Sequence, residues 1–131
     1  MNVTVNGDKK NLSSSSRRFV INTFVSNLSE EKKGIVKKLK VQVMMVLPDL
    51  RYEGFLPQLG EISIDGDKKE VEILIKGEIT HKFVSEISKD FFDSRIVNYF
   101  FKFLNRIENL GVEAKVSKID LKEILIKGFL H

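Results

Sequence analysis

Apolar and polar residues between Asp93 and Gly111 separate with a helical period. Ile96, Val97, Phe100, Phe101, Phe103, Leu104 and Ile107 fill one side, and Arg95, Asn98, Lys102, Asn105, Arg106 and Asn109 gather on the other. At ~100° per residue the apolar arc, with Tyr99 at its margin, spans roughly 200°, about twice what a helix on one flat sheet needs. The pattern predicts a long central helix whose second flank is covered by a curved sheet, another helix or a second copy. Ser88 or Asp90 can cap its start, and Gly111 its end.

The strongest period-two pattern begins at Val71 and runs through Ile73, Ile75, Gly77, Ile79, His81, Phe83 and Ser85 to Ile87. Strict alternation predicts a strand with one buried and one wet face. It is longer than ordinary strands, so a bend near Gly77 is expected. Asp65-Gly66-Asp67-Lys68 supplies a hairpin turn back to a strand over 61–65. Beyond the helix, Val112, Ala114 and Val116 alternate, and Leu121–Gly128 forms a last strand. The hexapeptide Glu-Ile-Leu-Ile-Lys-Gly occurs at 72–77 and again at 123–128, read as two similar amphipathic strands rather than a duplication.

The first half is less regular. Val20, Ile21, Phe24, Val25 and Leu28 share a helical face, with Ser16 as cap and Gly34 as stop, which predicts an N-terminal amphipathic helix. A strand over 19–25 fits the period less well. Residues 35–47 carry both an alternation and a helical stripe (Ile35, Val36, Leu39, Val43, Val46, Leu47), and their valines tip the reading towards strand. Residues 48–60 hold both prolines of the chain and read as a long connection. Its Leu50, Tyr52, Phe55, Leu56 and Leu59 either pack as a satellite of the core or present a contact surface. Residues 1–16, with four consecutive serines, read as a flexible tail ahead of one domain over 17–131.

The expected fold is therefore α+β: a mainly antiparallel sheet of about five strands on a long central helix, in the order α-β-β-β-α-β-β. That order resembles the small dimeric chaperone domains that bind secretion effectors, a likeness of element order without shared motifs.

Composition narrows function mainly by exclusion. The 131 residues, 42% apolar and 31% charged, suit one globular domain. No apolar run approaches the ~20 residues of a membrane span, and the N-terminus lacks the apolar stretch of a secretory signal, so a cytoplasmic protein is expected. Cysteine is absent, which removes disulfides, thiolate zinc sites and cysteine nucleophiles. The Lys-, Ile- and Glu-rich, glutamine-poor composition leans towards a thermophile, against which stand eight asparagines. The net charge of +4 is uneven, with nine basic and two acidic residues between Lys9 and Lys40.

Candidate chemistry is sparse. His81 lies on the apolar parity of its strand between Ile79 and Phe83, where a satisfied core or rim histidine is expected. Asp65 and Asp67 are accounted for by the turn and lack the further ligands of a calcium loop. No glycine-rich phosphate loop or nucleophile elbow is present. The chain is accordingly read as non-enzymatic, without cofactor or metal. The leading expectation is an adaptor that binds a protein partner or itself, as a homodimer, through Leu50, Tyr52, Phe55, Leu56, Phe101 and Leu104. The alternatives are a nucleic-acid surface of Arg17, Arg18, Lys32, Lys33, Lys37, Lys38 and Lys40, and a sheet gripping the helix around a small apolar ligand.

Overall fold

The computed structural model describes residues 19–79, 89–120 and 122–131. The expected tail over 1–16, Arg17, Arg18, His81, the strand residues beyond Ile79 and the Ser88 cap lie outside the described residues.

Five strands form one sheet: β1 (Val20–Ser26), β2 (Phe55–Asp65), β3 (Glu70–Ile79), β4 (Val112–Ile119) and β5 (Glu123–Leu130), in the spatial order β1-β2-β3-β5-β4. Two helices, α1 (Gly34–Tyr52) and α2 (Lys89–Glu108), cover one face. The fold is α+β with a mostly antiparallel sheet, as expected. The element order is β-α-β-β-α-β-β, which corrects the predicted order at its first two positions and removes the likeness to the secretion chaperones.

The expected N-terminal helix is a strand, and the expected strand over 35–47 is a helix. β1 carries apolar side chains on both faces, because Ile21 and Val25 share a parity opposite to that of Val20 and Phe24. Apolar residues on both parities of a strand mimic helical spacing, and only the β-branched content betrays the difference. β1 runs parallel to β2, from Val20 opposite Leu59 to Ser26 opposite Asp65. Parallel neighbours need a crossover, and α1 is that crossover.

α1 buries Leu39, Val43, Val46, Leu47 and Leu50, spaced as one helical stripe over β2. It passes through Pro48, the residue expected to open a loop. Pro48 is near the C-terminal end and on the solvent-exposed side, where the helical hydrogen bond it cannot donate costs least. The helix stops instead at Gly54, whose φ of 93° suits glycine. Phe55, expected in the loop, begins β2 and is fully buried.

α2 places Ile96, Phe100, Phe103 and Ile107 on the sheet, all fully buried. Phe100 and Phe103 meet edge to face with centroids 5.5 Å apart, worth ~0.5–1.5 kcal/mol beyond area burial. Gly111 follows with φ 97°. α1 covers one flank of α2: Tyr99 donates to the Glu53 carboxylate, and Arg106 Nε donates to Gln42 Oε1. The wide arc thus finds a second helix on one side, while Val97 and Phe101 remain exposed on the other.

The two copies of the hexapeptide are hydrogen-bonded neighbours. Glu72 faces Lys127, Ile73 faces Ile126, Leu74 faces Leu125, Ile75 faces Ile124 and Lys76 faces Glu123. Read antiparallel, the peptide complements itself: opposite charges meet at both ends, and the isoleucines meet on the buried face. Gly77 and Gly128 also share a role, since a Cβ at either would strike the neighbouring strand, at Leu56 or at Glu113 and Ala114. The irregularity expected near Gly77 appears across from it, as a register shift in β2 between Pro57 and Leu59.

Candidate interaction surface

α1 is apolar on two sides. Opposite its buried stripe, Val41, Met44 and Met45 are each about half exposed (51%, 49% and 52%), and Tyr52 is 81% exposed. Exposed Pro48 lies between them. These positions follow i, i+3, i+4, i+7 and i+11, the spacing of a helical seam. A helix that is apolar all round is ordinarily buried on both sides, yet nothing among the described residues covers this stripe. Two adjacent methionines add unbranched, polarizable side chains that adapt to varied partners. Lys37 and Lys38 flank the stripe towards its start, and Asp49 and Arg51 towards its end, all exposed.

A second apolar surface lies between α2 and the edge strand β4. Val97, Phe101, Leu104, Val116 and Ile119, with Ser117 and Lys118, line an open groove of about 390 Å³. Phe101, 64% exposed, forms its outer wall.

Of the residues expected to bind a partner, Tyr52, Leu56 and Phe101 are exposed and Leu104 is half-buried. Leu50 and Phe55 are corrected to the core, since both are fully buried, Leu50 on the inner side of α1 and Phe55 at the start of β2. The remaining four do not form one patch: Phe101 and Leu104 line the α2–β4 groove, whereas Tyr52 ends the α1 stripe and Leu56 lies in β2. Val41, Met44 and Met45 are not among the expected residues, because a strand over 35–47 puts them on no common face. The helical stripe in the same segment was the signal that could have found them.

The basic residues are spread rather than aligned. Lys33 pairs with Glu30 at 2.7 Å, and Lys32 donates to the His131 carbonyl at 3.0 Å. Lys37, Lys38 and Lys40 follow in the first turns of α1, where steps of ~100° per residue fan them around the axis.

Polar chemistry serves the architecture. Asp65 Oδ1 accepts from the Asp67 and Lys68 amides at 3.0 and 3.2 Å, which is turn chemistry. Asn27 Nδ2 donates to Asp67 at 2.6 Å and ties the end of β1 to the same turn. Asp120 Oδ1 accepts from the Lys122 and Glu123 amides, both at 2.8 Å, and organises the β4–β5 connection. The Lys122 amide, with those of Glu123 and the Lys118 ammonium, holds the Asp120 carboxyl below the usual range against the opposing effect of burial. Hydrogen bonding to Glu123, its charge and Asp120 hold the Lys118 ammonium above its ordinary range.

Among the described residues there is no group of three or more histidines and carboxylates placed to hold a metal, and no helix long and apolar enough to cross a membrane. No protein-family model and no curated protein matches this sequence.

Proposed function

We propose that this protein is a non-enzymatic adaptor whose binding surface is the outer stripe of α1, and that its partner presents an amphipathic protein helix. The observation that carries this reading is the second apolar side of α1, with Val41, Met44, Met45 and Tyr52 half or more exposed. The stripe covers 11 residue steps, about 16 Å of helix at ~1.5 Å per residue. That length suits three turns of a partner helix lying alongside. The α2–β4 groove is shorter, and one wall of it is an edge strand bearing Lys115 and Lys118.

Methionine methyl labelling tests the idea directly, because the chain has only Met1, Met44 and Met45. Titration with a designed amphipathic helical peptide is expected to shift the Met44 and Met45 signals and to leave Met1 in place. Replacing both by Glu is expected to abolish the response with the fold intact. Unmoved signals in the wild type, at peptide concentrations that saturate a known helix-binding groove, would defeat the proposal.

A further inference from the structure

The two edges of the sheet are built differently. β4 carries Glu113, Lys115 and Lys118 and a register shift between Val116 and Lys118, features that discourage a further strand. β1 has none of them. Its seven residues, VINTFVS, include no charge and no proline, and Val20, Phe24 and Val25 are all more than 40% exposed. Among the described residues nothing pairs with its outer side.

We infer that β1 pairs with β1 of a second copy, antiparallel about Thr23, joining two five-stranded sheets into one of ten strands. Thr23 is the middle residue of β1, so a two-fold axis through it overlaps the whole strand. In that register Ile21 faces Val25 of the second copy on the helix-covered face. Asn22 faces Phe24, and Val20 faces Ser26, on the other face. Every opposed pair is uncharged, so no like charges meet, whereas the same operation about Lys115, in the middle of β4, would set the two Lys115 side chains directly opposite each other.

Face matching favours a second copy over an unrelated strand. The inner side of β1 is only partly covered: Ile21 and Thr23 are half-buried and Val25 is exposed, because α1 packs over β2. A two-fold axis normal to the sheet puts both helical layers on one side. The two α1 helices then stand about three strand spacings, ~14 Å, apart, with Val25 of each copy between them. A seven-residue strand pair alone buries less than the ~1,200 Å² of a standard interface, so the dimer should assemble and dissociate within the micromolar range.

The chain has no cysteine, which gives the pairing a clean test. Sedimentation of the full-length protein across micromolar concentrations should show mass rising from 15.1 kDa towards twice that value. Thr23→Cys should form a covalent dimer on mild oxidation, since directly opposed residues bring Cβ atoms to ~4.5–5.5 Å. Asn22→Cys, whose counterpart lies on the diagonal at roughly 7–8 Å, should cross-link several-fold less. Val25→Lys should give a monomer whose thermal midpoint no longer depends on concentration and matches that of the dilute wild type. A wild type that stays monomeric throughout would overturn the inference, as would equal cross-linking of the two cysteine variants. A dimer that survives Val25→Lys but dissociates on replacing Met44 and Met45 by Glu would overturn it too, assigning self-association to α1 instead.

Discussion

Glu53 is a carboxylate only 2% exposed, at the end of α1, and it accepts the Tyr99 hydroxyl from α2. Tyr99→Phe removes that hydrogen bond and should lower stability by about 0.5–1.5 kcal/mol in urea denaturation. At Asp120 the effect depends on pH. Backbone amides hold its folded-state carboxyl below the unfolded value, so its contribution is present above the unfolded pKa and fades as pH falls through the folded one. Asp120→Ala should therefore lower the thermal midpoint at neutral pH and approach the wild type in strong acid, as read by circular dichroism. The turn role of Asp65 was legible because its partners are two and three residues away, whereas the Asp67 carboxylate accepts from Asn27, 40 residues away. The pairing of Tyr99 with Glu53 joins residues 46 apart, and no local pattern announces it.

Among the elements, α2, β3, β5 and the β2–β3 hairpin were legible because each buries one face, and one buried face leaves a clean period. β1 and α1 were exchanged for the opposite reason. Both carry apolar residues on two sides, which superimposes a second stripe on the first and erases the contrast between periods of two and 3.6. The ambiguity therefore fell where apolar surface remains exposed. Stability separates the two sides of α1. Replacing Met44 and Met45 by Glu should change unfolding free energy by no more than about 0.5 kcal/mol per site, as for ordinary surface positions. Leu47→Ala, on the buried side, should cost about 2–5 kcal/mol. The same contrast holds on α2, where Phe101→Ala should be nearly neutral in chemical denaturation and Phe100→Ala should cost about 3–5 kcal/mol.

For the molecule as a whole, the α+β class could be read from alternation and helix length, whereas the parallel β1–β2 pair could not. Once β1 is a strand and α1 a helix, a single βαβ crossover sets β1 at an edge and α1 beside it. That placement explains why the candidate surface was only half legible. Phe101 and Tyr52 stood out as apolar residues in a helix or an apparent loop. The exposed stripe of α1 depends on knowing which side of it meets β2.

The neighbouring β3 and β5 carry one short text twice, and each copy is the other's complement. Before β5 has been synthesised, β3 of one chain can find the same five-residue match in the β3 of another, with identical charges and identical isoleucines. Nothing in that match distinguishes self from neighbour except proximity. Refolding at high concentration should therefore yield oligomers joined β3 to β3, and reversing the charges at Lys76 and Glu123 together should suppress them, since it keeps the native β3–β5 pair but sets like charges opposite each other in any β3–β3 match.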